Sequence, residues 1–250
     1  MRMRLGIIPA VFLAVLVGRA PTVLASAEVH RLNLVFSTVP TAVRAGDIND
    51  LIAYINTVGL EPLNLEPLDK ISLSWLLDGE LRYFARPNFA VSLGVTRLRA
   101  GTSQEYLPAI GASNTVRSDI TSVPIHAGAA YYFKPYNQGD FQARAYAGAG
   151  FMSVVYNRAS LSWTGTGIPG GSGFAVTGTN DAPGYYVEAG VHMFFASKLS
   201  MILSALFRSN VVRNLVNEVD GSPVLNPTTL KPVSLDVSGT GFRMAVGIGL

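Results

Sequence analysis

Apolar and polar side chains alternate with a period of two through most of this sequence. From Phe242 to Leu250, residues Phe242, Met244, Val246, Ile248 and Leu250 fall on one face of an extended segment. Arg243, Ala245, Gly247 and Gly249 fall on the other. Residues 199–208 repeat this, with Leu199, Met201, Leu203, Ala205 and Phe207 opposite Ser200, Ile202, Ser204, Leu206 and Arg208. In 185–195, Val187, Ala189, Val191 and Met193 oppose Glu188, Gly190 and His192. In 141–151, Phe141, four alanines and Phe151 oppose Gln142, Arg144, Tyr146, Gly148 and Gly150. Segment 73–83 sets Leu73, Trp75, Leu77, Leu81 and Tyr83 against Ser74, Asp78, Glu80 and Arg82. Segments 89–98, 122–133 and 30–37 alternate less cleanly. The spacing predicts eight strands.

The connections alternate in length. Ala85-Arg86-Pro87-Asn88, Lys134 to Asp140 and Ala196-Ser197-Lys198 are short, whereas 38–70, 100–119, 159–183 and 212–233 are long. Short turns at one end and long loops at the other predict an eight-stranded, antiparallel, up-and-down transmembrane β-barrel of the outer-membrane kind. The first long loop carries a helix signal. Asp47 can cap it, Gly59 can close it, and Ile48, Leu51, Ile52 and Ile55 form one apolar face. No Lys or Arg lies between Asp47 and Gly59, which favours packing on protein over resting at a lipid interface. The Gly-, Ser- and Thr-rich stretch 159–183 reads as an exposed, flexible loop.

Composition sharpens this picture at the N-terminus. The run Leu5–Val17 is too short for a spanning helix and contains Pro9; it follows Arg2 and Arg4 and precedes Ala25-Ser26-Ala27. That order predicts an export signal peptide over 1–27 and a barrel domain over 28–250. The net charge of +3 is then carried by Arg2, Arg4 and Arg19, leaving 16 basic against 16 acidic residues in the mature chain. Its basicity therefore points to no nucleic-acid partner. With no cysteine, disulfide frameworks and thiolate metal sites are excluded. Only 14% of residues are charged, as expected where one face of each strand meets lipid.

Gly79-x-x-x-Tyr83-Phe84, Gly128-x-x-x-Tyr132-Phe133 and Gly190-x-x-x-Phe194-Phe195 each precede a short turn. Tyr83, Tyr131, Phe133 and Phe195 are the candidate aromatic girdle at the lipid–water boundary. Strict alternation turns Phe84 inward but Phe133 and Phe195 outward, so either a bulge intervenes or the repeat is approximate. Val123-Pro124-Ile125-His126-Ala127-Gly128-Ala129-Ala130-Tyr131-Tyr132-Phe133 resembles the even strands of small bacterial outer-membrane β-barrels. Tyr146-Ala147-Gly148-Ala149-Gly150 resembles the Tyr-x-Gly-x-Gly strand that follows in many of them, the OmpW type included. The likeness to this OmpA/OmpX/OmpW-like family covers about 70–250, and 28–69 loosely. It implies outer-membrane lipid and the barrel-insertion machinery as partners. Such barrels usually end in Phe or Trp, whereas this chain ends in Leu250.

If the apolar set faces lipid, Asp78, Glu80, Arg82, Arg144, Glu188, His192, Arg208 and Arg243 face the lumen. Eight strands leave an interior just wide enough for side chains to fill, and buried charges there must pair. Gly148, Gly150, Gly190, Gly247 and Gly249 would leave room for a ligand cavity. The search for chemistry finds no catalytic, cofactor or metal motif. Gly165-Thr166-Gly167-Ile168-Pro169-Gly170 lacks a strand–turn–helix context, and His30, His126 and His192 lack zinc-ligand spacing. Glu188 and His192, with Ser200 or Ser204 on the next strand, make a conceivable triad that a lumen hydrogen-bond network explains equally well. The sequence thus favours a non-enzymatic structural or surface-interaction protein of the envelope. A narrow conduit for small apolar solutes, a lipid-modifying enzyme and a secreted lipocalin-like barrel stay open as alternatives, and an extracellular ligand at the long loops stays open as a partner.

Overall fold

The computed structural model describes residues 29–109, 112–165, 173–177, 182–195 and 198–250, so the expected signal peptide lies outside the described residues. Eight long strands form the body: β1 (Leu32–Ala42), β2 (Leu73–Arg86), β3 (Phe89–Ala109), β4 (Ala112–Tyr132), β5 (Phe141–Gly165), β6 (Ala182–Phe194), β7 (Leu199–Val212) and β8 (Gly239–Gly249). Each pairs antiparallel with the next, and β1 pairs with β8 from Asn33↔Gly249 to Thr41↔Gly241. The ring is therefore a closed up-and-down barrel, which leaves no sheet edge in its wall.

The alternation sorts as the sequence predicts. Phe36, Leu77, Leu93, Ile125, Phe151, Val187 and Val246 stand exposed on the outside. Their inward neighbours, such as Ser37, Glu80, His126 and Ala245, are buried. On β2 the outward apolar run Leu73–Tyr83 matches the roughly 9–11 residues that a tilted strand needs to cross a hydrocarbon core.

Two of the expected long loops are strand in their described parts. Residues 100–109 and 112–119 continue β3 and β4 as a paired ladder, and β5 runs to Gly165, with a short strand Gly173–Thr177 added beside it through Ala159↔Val176. The period of two continues there with its polarity reversed. Outward positions become Arg97, Arg99, Ser103 and Glu105, while Leu98, Ala100 and Tyr106 turn inward onto an apolar core. The expected flexible stretch 159–183 is thus paired strand in its described parts, 159–165, 173–177 and 182–183.

The glycines do not open a cavity, contrary to expectation. Gly128 of β4, Gly150 of β5 and Tyr186 of β6 lie in one row, and the Tyr186 ring lies across both glycines. A Cβ on Gly150 would sit 2.4 Å from the Ala127 carbonyl oxygen and 2.6 Å from the Tyr186 ring. Ser200 fills the space at Gly247, Ser204 that at Gly190, and His30 that at Gly249. Gly150→Ala should therefore destabilise the barrel by roughly 1–3 kcal/mol, the usual cost of overpacking. Urea unfolding of micelle-bound protein checks this, and an unchanged midpoint would contradict the row packing.

Pro124 cannot donate to a ladder, and interior prolines sit at irregularities. The register with β5 shifts at this point, from Val123↔Tyr156 to Pro124↔Val154. Phe84 needs no such bulge. Its strand is regular up to it, so the aromatic repeat is approximate and begins with an outward Gly79.

Candidate functional site

The lumen is built in three layers. At the short-turn end, inward Phe84, Tyr132, Tyr146, His192 and Phe194 form a floor of rings. Phe84 and Tyr132 are 5.0 Å apart, Tyr132 stacks on Tyr146 at 5.2 Å, and His192 stacks on Phe194 at 4.0 Å. His192 Nδ1 lies 3.1 Å from the Tyr132 hydroxyl. Arg144 sits at this level, donating to Gln142 Oε1 at 2.7 Å and to the Pro87 carbonyl.

The middle layer is ionic. Arg243 donates to Asp78 at 2.8 Å, to Glu80 at 3.2 Å and to Glu188 at 3.2 Å. Arg82 donates to Glu80 at 2.6 Å and to the Tyr132 hydroxyl at 2.8 Å, with Glu188 3.9 Å away. Hydroxyls complete the carboxylate shells. Ser37 and Thr96 donate to Asp78 at 2.9 and 2.8 Å, and Ser204 donates to Glu188 at 2.6 Å, as does the Tyr146 hydroxyl at closer range. His126 Nε2 lies 2.8 Å from Asp78 Oδ1. Charge-assisted hydrogen bonds of this kind are about twice as strong as neutral ones, and they offset the desolvation of the ions. Two guanidinium groups thus serve three carboxylates, with His126 against one of them.

The third layer is an apolar plug at the long-loop end. Helix α1 (Asp47–Ile55) continues through a wider turn at Asn56–Leu60 and a tight one at Glu61–Leu63. It buries Ile48, Leu51, Ile52 and Leu60 against inward Val39, Leu98 and Ile120 of the wall and against Leu215, Val233 and Leu235 of the last loop. Full burial of such a side chain contributes about 1.5–3 kcal/mol each. The helix is thus packed on protein, as its lack of basic residues implies. Its ends differ from expectation. Asp47 is not the cap, because its carboxylate is engaged at 2.7–2.8 Å by the backbone N–H and hydroxyl of Ser234. Gly46, at φ +54°, takes the cap position, and the winding passes Gly59 to end at left-handed Asn64.

Asn49 and Asn56, two turns apart on the polar side, each exchange a pair of hydrogen bonds with the backbone of Ile71 and Leu68, at 2.9 Å. Asn226 donates to Asp47 and Asp50. These polar clips tie the first and last loops into one plug. Between plug and ionic layer a cavity of about 40 Å³ remains, bounded by Leu76, Leu98 and Val237 above and by Asp78, Glu80 and Arg243 below. By volume it suits a few water molecules.

All eight expected lumen residues point inward, but they do not form one network. Asp78, Glu80, Arg82, Glu188 and Arg243 meet, whereas His192 belongs to the aromatic floor. Arg144 and Arg208 have no carboxylate within ion-pair range among the described residues. Arg208 instead donates to the Val237 carbonyl at 2.8 Å, to Thr41 at 2.6 Å and to the Ala42 carbonyl. The expectation that every lumen charge pairs is corrected in these two cases, since backbone carbonyls satisfy a guanidinium as well. His126 is the network member that sequence reasoning missed. Its place in the period-two series Pro124, His126, Gly128, Ala130 and Tyr132, which includes Tyr132 of the floor, was the signal for it, blurred by the weak contrast of segment 122–133.

The imagined triad is not assembled, because Ser204 is held by Glu188 while His192 pairs with Tyr132. Asp78, Glu80 and His126 do bring three ligand atoms within 4.8 Å of one another, but the arginines already occupy both carboxylates. Tyr83, Tyr131, Phe133 and Phe195 all lie exposed on the outside near the short-turn end, where the girdle was expected. Near the long-loop end of β3, the inward Tyr106 hydroxyl donates to the Glu66 carbonyl at 2.5 Å.

The class these features define is a closed eight-stranded barrel with an apolar exterior band and a lumen stoppered by rings, ion pairs and a helical plug. Neither a protein-family model nor a curated protein sequence matches the chain. Among solved structures it is similar to Ail, the attachment invasion locus protein of Yersinia pestis. The two share 12% identity at a TM-score of 0.33, over 88% of this chain and 98% of that one.

Proposed function

We propose that this chain is an integral outer-membrane β-barrel protein of a bacterial envelope, exported by its N-terminal segment. Its role is structural or surface-interacting, and it is neither an open channel nor an enzyme. One observation carries the reading: an apolar outer band surrounds an interior blocked in three successive layers, with a cavity of about 40 Å³ between plug and ionic layer. A transported solute would have to displace the plug, part the Arg243 network and open the ring floor. The ends of β3–β5 and the plug surface remain for contact with other molecules at the long-loop side.

The test has two parts. Unheated protein should migrate differently from boiled protein on a denaturing gel, and it should float with phosphatidylcholine vesicles. In planar bilayers it should add no steady unit conductance. Identical migration together with release from vesicles without detergent would support a soluble lipocalin-like barrel instead. Stable unit conductance, altered by charge reversal at Glu188, would support the conduit.

A further inference from the structure

Among the described residues, and leaving aside Arg86 at the short-turn end of β2, the charged side chains on the outer face of the strand walls lie on three neighbouring strands. The outward positions of β1, β6, β7 and β8 carry no Asp, Glu, Lys or Arg, and β2 has none between Leu73 and Tyr83. By contrast, β3 presents Arg97 and Arg99, both exposed, immediately above the outward apolar run Phe89, Val91, Leu93 and Val95. Arg99 pairs in register with Trp75 of β2 and Thr121 of β4, and Thr121 pairs with Arg158 of β5. Arg158 is spoken for by Glu218 at 2.9 Å. Among the described residues, no carboxylate lies within ion-pair range of Arg97 or Arg99.

Above Arg99 the surface is hollow. Gly101 stands opposite Asp119, and a cleft of about 280 Å³ opens there, walled by Arg99, Ser103, Arg117 and Asp119. Asp119 holds Arg117 through two hydrogen bonds, to its Nε and its Nη2, which leaves Nη1 free to donate. Arg99, Arg117 and Asp119 thus border one cleft, and Arg97 stands two residues below Arg99 where the apolar band ends. Guanidinium groups match phosphate geometry bidentately, and exposed Trp75 is of the type that settles at headgroup depth.

We propose that Arg97 and Arg99, with Arg117 above them, bind the phosphate of an anionic lipid headgroup on this one side of the barrel. The proposal rests on the membrane-spanning reading given above. Arg97 lies just above the lipid-facing row and reaches the headgroup from below, Arg99 grips it at the level of Trp75, and Arg117 closes over it. Asp119 keeps the upper part selective for a group that can accept from Arg117 without approaching the carboxylate.

Trp75 makes the site readable. In a Trp163→Phe background it is the sole tryptophan, because the chain has two. The protein is folded into phosphatidylcholine vesicles containing a minority of phosphatidic acid, with brominated acyl chains placed on one lipid or the other. Brominated phosphatidic acid should quench Trp75 well beyond its share of the bilayer. Arg97→Gln and Arg99→Gln should each weaken that preference about fivefold, and raised salt should weaken it in the parent. Quenching in proportion to bilayer share in the parent protein would overturn the site while leaving the membrane reading intact. Displacement of phosphatidic acid by millimolar inorganic phosphate would also overturn it, marking a general anion cleft. If brominated phosphatidylcholine fails to quench Trp75 at all, the membrane-spanning reading itself falls.

Discussion

Replacing Arg243 with methionine is expected to destabilise the folded barrel by roughly 3–5 kcal/mol, the usual consequence of removing one partner from a buried ionic cluster. Arg243 touches Asp78, Glu80 and Glu188 together, and its side chain is 5% exposed. Methionine fills similar space, so packing changes little and the electrostatic loss dominates. Arg82 stays bonded to Glu80, but Asp78 keeps only Ser37, Thr96 and His126, and Glu188 keeps two hydroxyls and a distant guanidinium. Urea unfolding in micelles, followed by tryptophan emission, measures the loss. Adding Glu188→Gln to Arg243→Met should recover part of it by removing one stranded charge. A loss below about 1 kcal/mol for Arg243→Met would mean that water reaches the layer and screens it.

Ile52→Asp should act on a different part of the molecule. Ile52 is fully buried between α1, the wall and the last loop, so a carboxylate there has no partner and no water. The expected result is release of the plug with the barrel intact, because none of the eight strand pairings involves α1. Limited proteolysis should then cut between 47 and 63 while gel migration still depends on heating. Conductance should stay absent, since the ionic layer and the ring floor remain in place. Loss of the heat-dependent migration would show instead that the plug holds the wall together.

How far the sequence disclosed this arrangement varied with the environment outside each strand. Where the outward face is uniformly apolar, as along Phe242–Leu250 or Leu73–Tyr83, the contrast between faces is large and the strands are legible. Above Val95 and Ile125, polar side chains face out and the plug lies inside. There Arg97, Gly101 and Ser103 read as loop although the backbone stays paired. The lumen residues were legible as a set from alternation alone. Their division into floor, ionic layer and plug contacts was not, because it depends on the register of neighbouring strands. That register brings Glu80 and Glu188 to one guanidinium across 163 and 55 residues of chain from Arg243. Asn49 and Asn56 were legible only as polar helix positions, since their partners are backbone atoms of a segment without pattern.

The seam between β1 and β8 also bears on the order in which the molecule can form. Asn33 meets Gly249, and the hydroxyl of Ser234 reaches Asp47 from 187 positions away. Closing a loop has an entropic cost that grows with its logarithm, about 0.6 kcal/mol per doubling of length, and long-range pairings form late. Hairpins β2–β3 and β3–β4 can zip locally, but wall closure and the docking of the plug on the last loop both await the final strand. The first long loop is thus completed by the last, through Leu215, Val233 and Leu235. Until that segment arrives, Ile48, Leu51 and Ile52 have only half of their cover.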